Sequence, residues 1–206
     1  MALDLKDEKD INDKFSEFFI KNKRKIILYS IIFIIFYFAS SFYMSQDEKK
    51  QLIASDLYQR VQLINDFNDK VIIVDKLKID FANTPYSSRA SIYLGNIYQK
   101  NKDFDKAKEN YRWAGENAIE KSIASLANYQ YASMLLIQGS YDDSLLYANK
   151  INDFGFFGLK ADLLGDINAK LEKKDEARNF YKQALDFYKD KNDLAKVIKI
   201  KLDALN

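Results

Sequence analysis

Nineteen consecutive residues, Ile26 to Met44, carry no charged side chain. As one α-helix the run is roughly 28 Å long, close to the hydrocarbon thickness of a bilayer, so it reads as a transmembrane helix with little tilt. Lys21, Lys23, Arg24 and Lys25 crowd its N-terminal side with no acid among them, whereas Asp47, Glu48, Lys49 and Lys50 on the far side cancel. Basic flanks stay in the cytoplasm, so the expected topology is a cytoplasmic tail (1–25), a span (26–44) and a domain outside the cytoplasm (45–206).

A cleaved signal peptide shares this grammar. Against it stand the long mixed-charge segment before the run and the position of Ala39-Ser40-Ser41 inside the run, with further aromatics after it. A buried helix of a soluble core would need a polar face, and the run has none.

The 206 residues are enough for one anchor and one domain of about 150 residues, and mean hydropathy is negative despite the anchor. Thirty-two basic against 30 acidic side chains leave no basic surface to gather nucleic acid, which is not expected as a partner. The absence of cysteine excludes disulfides and a lipoprotein's acylated cysteine, so the apolar helix alone is expected to hold the chain to the membrane. One proline and six glycines supply little β-turn material. The fold class is all-α.

In the tail, Ile11, Phe15, Phe18 and Phe19 recur at helical spacing on a charged background. That pattern suits a helix lying in the headgroup layer, or a docking face for a partner. Beyond the anchor, Leu52, Ile53, Leu57, Val61, Ile64 and Phe67 predict a helix over Gln51 to Phe67, broken by an Asn68-Asp69 turn. A second helix is predicted from Lys70 to Phe81, ended by Asn83-Thr84-Pro85, because the residue before proline is pushed out of the helical region. Val71 to Val74 could seed a strand by β-propensity alone, but the helical spacing on both sides outweighs it.

From Pro85 the chain repeats itself. Leu94-Gly95 with Tyr98, Ala107 and Tyr111 corresponds to Leu164-Gly165 with Asn168, Ala177 and Tyr181; Tyr131-Ala132 with Leu135, Ser144 and Ala148 keeps the same internal spacing with weaker residues. Ala107, Ser144 and Ala177 lie 37 and 33 residues apart. A period near 34 is that of the tetratricopeptide repeat, a helix-turn-helix unit. Gly95, Ala132 and Gly165 are expected where the first helix of each pair approaches the second, with Ala107, Ser144 and Ala177 as small counterparts. Tyr98, Tyr111 and Tyr181 are expected to fill the space between successive pairs, with turns at Lys102-Asp103, Gly139-Ser140 and Lys174-Asp175. Asn192 to Leu205 reads as a terminal helix covering the last repeat, its lysine-rich face solvated.

The chain resembles the YfgM-type family, the ancillary subunit of the SecYEG translocon. The resemblance is carried by Asn83-Thr84-Pro85-Tyr86 leading into SSRASIYLGNIYQKNKDFDKA, by Ile151-Asn152-Asp153-Phe154-Gly155-Phe156 leading into FGLKADLLGDINAKLEKKDEARNFYKQAL, and by the ending Lys199 to Leu205. It implies a single-pass protein of the bacterial inner membrane with a periplasmic tetratricopeptide-like domain. It also implies partners at the secretion channel: SecYEG, periplasmic chaperones or secreted chains as they emerge.

Catalysis is not expected. Without histidine or cysteine there is no Ser/His or Cys/His nucleophile, no histidine-bound zinc and no thiol chemistry. The acid pairs Asp142-Asp143, Asp162 with Asp166, and Asp175-Glu176 fall at turns or on exposed helix faces, which does not suit glycoside hydrolysis. Neither a cofactor nor a metal is expected.

The repeat register projects Arg89, Asn96, Gln99 and Lys100 from the first window onto the concave face, with Tyr129 and Ser133 from the second and Asp162 and Asp166 from the third. An extended or partly unfolded polypeptide held by polar contacts, with Tyr129 as aromatic anchor, is the expected ligand. Phe154, Phe156 and Phe157, beside two glycines, form an alternative partner contact or else plug the gap between the middle and third repeats. The expected function is a membrane-anchored protein-interaction module at the translocon; the same architecture would serve as a scaffold for another envelope complex, in cell division or outer-membrane assembly. Gln51 to Phe81 is the candidate surface for a homo-oligomer.

Overall fold

The computed structural model describes the backbone of residues 5–189 and 193–205, with side chains from Lys14 onward. The side chain of Ile11 in the tail pattern and residue Asn192 at the expected start of the last helix lie outside the described residues. Among those described, the chain is helical throughout, with no strand: α1 (Leu5–Leu63), α2 (Phe67–Asp80), α3 (Pro85–Lys100), α4 (Phe104–Asn117), α5 (Lys121–Ile137), α6 (Tyr141–Asn149), a 3-10 turn (Phe154–Phe156), α7 (Phe157–Lys170), α8 (Lys174–Tyr188) and α9 (Asp193–Asp203). The chain divides into two units at Lys49/Lys50, and each is described by itself.

In the first unit no glycine or proline interrupts α1, so nothing breaks its hydrogen-bond ladder. By length and composition it contains a helix able to cross a membrane, and none of its most apolar window is buried. Every residue from Ile31 to Phe38 is exposed, so the helix presents apolar side chains all round. Water would not tolerate such a surface on one helix; lipid does. Before it, the tilted rings of Phe15 and Phe19 lie 5.0 Å apart between centroids, with Phe18 edge-on to Phe19.

In the second unit the first break comes four residues earlier than the sequence suggested, after Leu63 rather than Phe67. Asp66, in an extended conformation, accepts a hydrogen bond from the Asp69 N–H at 2.9 Å, so Asn68 and Asp69 already belong to the first turn of α2. The aspartate satisfies an orphan donor of the helix start, and that wins over a turn two residues later. Val71 to Val74 are helical, because Ile73, Val74 and Leu77 bury one face against Ala54, Leu57 and Val61. Leu52 and Ile53, expected in the same stripe, are exposed. Lys70 Nζ donates to the carbonyl of Val61 at 2.6 Å, closing the C-terminal end of α1.

Three helix pairs follow: α3/α4, α5/α6 and α7/α8. Each turn carries one left-handed residue, Lys102 (φ 64°), Gly139 (φ 80°) and Glu172 (φ 61°), at equivalent repeat positions. The next N–H then donates back across the helix end, Asp103 to Tyr98, Ser140 to Leu135 and Lys173 to Asn168, each at 2.9 Å. These are three copies of one Schellman turn, which satisfies carbonyls the helix itself cannot. The third turn is therefore Glu172-Lys173, and Lys174 and Asp175 are the first residues of α8 rather than a turn.

Ala107, Ser144 and Ala177 are fully buried on the second helices, as the spacing predicts. The tyrosines, however, divide. Tyr98 meets Phe67 edge-on at 5.3 Å and does fill the space between pairs. Tyr111 and Tyr181 instead lie within their own pairs: a Cβ built on Gly95 would stand 2.7 Å from the Tyr111 ring, and one on Gly165 would meet Tyr181 closer still. In the middle pair the same two positions are Ala132 and Ala148, both fully buried. Glycine under tyrosine and alanine against alanine are two ways of filling one interhelical gap.

Candidate protein-interaction surface

The first helices of the pairs, α3, α5 and α7, stand side by side as neighbours in the stack. Their equivalent outward positions are Asn96, Ser133 and Asp166, one step beyond the small residues that set the close approach. In the first pair the hydroxyl of Tyr111 lies 2.7 Å from both Asn96 Oδ1 and Gln99 Oε1. In the third pair Tyr181 donates to Asp166 Oδ1 at 2.8 Å. The polar row is thus tied from beneath by the tyrosines of the second helices. Burial pushes the Tyr111 phenol up to about 12. Burial and then the Asp166 charge also hold the Tyr181 phenol well above its usual range.

At the far end the row converges on one cation. Lys201 Nζ of α9 donates to both oxygens of Asp162, at 2.8 and 2.9 Å, and to Asp166 Oδ2 at 2.8 Å. The lysine face of the terminal helix is therefore not wholly solvated, because a half-buried carboxylate pair needs a counter-charge. Burial raises the Asp162 carboxyl above the usual range, with the hydrogen bond from Lys201 opposing that shift. Burial would lower the Lys201 ammonium, but its hydrogen bonds to the two aspartates hold it above its ordinary value. Tyr129 is half-buried beside this cluster and bonded to Ser133; burial, then the Asp162 charge, raises its hydroxyl.

The structure brings Tyr129, Ser133, Asp162 and Asp166 into one neighbourhood with Lys201, a residue that sequence reasoning missed. Asn96 and Gln99 form a second neighbourhood around Tyr111. Arg89 is apart from both: its guanidinium pairs with Glu120, at 2.7 Å to Oε2 and 2.9 Å to Oε1, bridging α3 to the start of α5. Lys100 is exposed at the end of α3. Across the row, α3 carries two bases and two amides, α5 two hydroxyls, and α7 two acids that share the one cation of α9.

The aromatic junction lies elsewhere, after α6. Asn152 and Asp153 donate their backbone N–H groups to the fully buried Ser125 Oγ, at 3.2 and 3.1 Å, which pins the loop. Phe156 packs into the core between the second and third pairs, while Phe154 is 80% exposed and Phe157 40%. The junction therefore both plugs a gap and presents a surface. Among the described residues no cluster of three or more acidic side chains is placed to hold a metal ion.

Two comparisons bear on what this stack is. The chain is similar to a protein named "Ancillary SecYEG translocon subunit" from Neisseria gonorrhoeae (strain ATCC 700825 / FA 1090), 22% identical over 209 residues that cover all of both chains. That likeness agrees with the YfgM-type resemblance and, with the repeat stack, supports a role in protein interaction. A family model described as a tetratricopeptide repeat-like domain matches residues 16–206. The turns, the small-residue positions and the stacked pairs are those of that family, and the chain belongs to the tetratricopeptide repeat-like domain family.

Proposed function

We propose that the protein is a single-pass inner-membrane component ancillary to the SecYEG channel, with residues 1–25 in the cytoplasm, 26–44 in the bilayer and 45–206 in the periplasm. There it binds other proteins, secreted chains or periplasmic chaperones, and catalyses nothing. The likeness to the Neisseria protein along the whole of both chains is the observation that carries this reading. The exposed apolar helix agrees with it, as do the four bases Lys21, Lys23, Arg24 and Lys25 on one flank, which favour retention of that end in the cytoplasm. Along α3, α5 and α7 the side chains facing outward are amides, a hydroxyl and charges, which suits the backbone and polar groups of an extended segment more than an apolar helix. Lys100 is the position of the row best placed to touch a ligand, since Arg89, Asn96, Gln99, Tyr129, Asp162 and Asp166 each hold an intramolecular partner; Tyr129 remains the candidate aromatic anchor.

In-membrane crosslinking followed by identification of the captured proteins tests this. Translocon subunits, secreted chains or periplasmic chaperones are expected. Recovery of components of a different envelope complex alone would replace the translocon by that complex.

A further inference from the structure

On another side of the stack, the α6–α7 loop, the start of α7 and the side of α8 enclose a cleft of about 480 Å3. Its wall is apolar: Ile151, Leu164, Phe154, Phe157 and Phe180. Phe187 braces the two exposed rings, at 5.5 Å from Phe154 and 5.7 Å from Phe157. The two charged groups within it are already engaged. Lys160 Nζ donates to the carbonyls of Asn149 and Ile151, at 3.3 and 2.8 Å, and Asp153 Oδ1 accepts from the Gly155 N–H at 2.8 Å. Three side-chain amides, Asn149, Asn152 and Gln183, also line it; all are exposed, and none has a hydrogen-bond partner among the described residues.

Free amides that can each donate and accept are matched by a peptide backbone, which offers the same two functions in alternation. One ammonium and one carboxylate, Lys160 and Asp153, cancel in net charge across the cleft and each is held by backbone groups, so the cleft favours neither sign of occupant. Three phenylalanines around the space suit one large apolar side chain. We propose that this cleft is a second protein-binding site, one that takes a short, extended, uncharged polypeptide segment bearing a large apolar side chain. The loop is already held in place by Ser125 and Lys160, so the site requires little ordering on binding. It is separate from the α3–α5–α7 row and does not depend on the translocon reading. A chain leaving a membrane channel would nonetheless offer such segments before it folds.

The test uses the full chain in lipid nanodiscs and a fluorescein-labelled peptide, Ser-Leu-Phe-Leu-Ser-Gly, followed by polarisation. Saturable binding is expected. It should weaken about tenfold or more in Phe154→Ser/Phe157→Ser. Gln183→Ala, an exposed change that leaves the fold alone, should weaken it about threefold, and an N-methylated peptide should lose as much. Because Phe157 is the more buried of the two rings, the single variant Phe154→Ser, with an unchanged thermal melt, keeps the aromatic arm interpretable. Absence of saturable binding to the wild-type chain would overturn the proposal. So would binding that ignores all three changes and is lost in Lys100→Glu; that result would place the peptide on the row, leaving the proposed function standing while the cleft falls.

Discussion

The ring of Tyr181 occupies the space that a side chain at Gly165 would need, and its hydroxyl then reaches Asp166, the next residue along the same helix. One side chain therefore sets the separation of α7 and α8 and orients a carboxylate of the outward row. Tyr111 does the same with Gly95 and Asn96 in the first pair. The core and the candidate binding surface are built from one set of residues.

This contact makes the two positions interdependent. Gly165→Leu should destabilise the domain by about 3 kcal/mol or more, since a well-packed pair must part to admit it. Gly165→Ala and Tyr181→Ala should each cost stability, but the double variant should cost less than their sum by about 1–3 kcal/mol. The middle pair already uses alanine at both positions, Ala132 and Ala148. Urea denaturation of the four proteins measures the coupling; strict additivity would place the two residues out of contact.

The left-handed residues of the three turns should respond in opposite senses. Gly139→Ala puts a Cβ into a conformation costing about 1 kcal/mol, although nothing stands within 4 Å of it. Lys102→Gly relieves the same strain and should stabilise by a fraction of that amount, the unfolded chain's added freedom offsetting part of the gain. Thermal melts displaced in opposite directions are expected; melts that fall together would remove the left-handed turn as the common element.

Much of this turn-and-pair scheme is legible in the sequence, and the limits have physical reasons. Spacing located the small residues Ala107, Ser144 and Ala177, because only small side chains fit where helices touch. Spacing could not tell whether Tyr111 and Tyr181 fill gaps within pairs or between them, since the two spaces are adjacent on one helix face. The third turn was misplaced because the Lys173-Lys174-Asp175 run looks polar throughout, while the left-handed residue that makes the turn is Glu172. Asp162 and Asp166 were placed on the correct helix, but their partner Lys201 lies 35 or more residues away in sequence. The only available signal was a lysine on the otherwise apolar side of a terminal amphipathic helix. Asp66 outcompeted Asn68-Asp69 at the first break through one side-chain hydrogen bond, a choice that composition cannot rank.

Alkaline pH should find the buried phenols. A group whose folded pKa is raised contributes stability that is present below its unfolded value and lost as pH rises through the folded one. Tyr111 is pushed from 10.0 up to about 12, so stability should decline between these values as the unfolded chain ionises first. Tyr111→Phe forgoes its hydroxyl contacts with Asn96 and Gln99 and should be less stable at pH 8 by about 1–2 kcal/mol. Its stability should then fall less steeply than the wild type's between pH 10 and 12. Parallel pH profiles would show that Tyr111 titrates alike folded and unfolded.

The central claim is that the row formed by α3, α5 and α7 holds polypeptide at a membrane secretion channel, and site-specific photocrosslinking in intact cells tests it most directly. A photoreactive amino acid replaces Lys100 or Tyr129 in turn, with Asp142, exposed on α6, as the control position. The account predicts that Lys100 and Tyr129 capture secreted chains, chaperones or channel subunits while Asp142 captures none. Equal capture at all three positions, or capture at Asp142 alone, would contradict it.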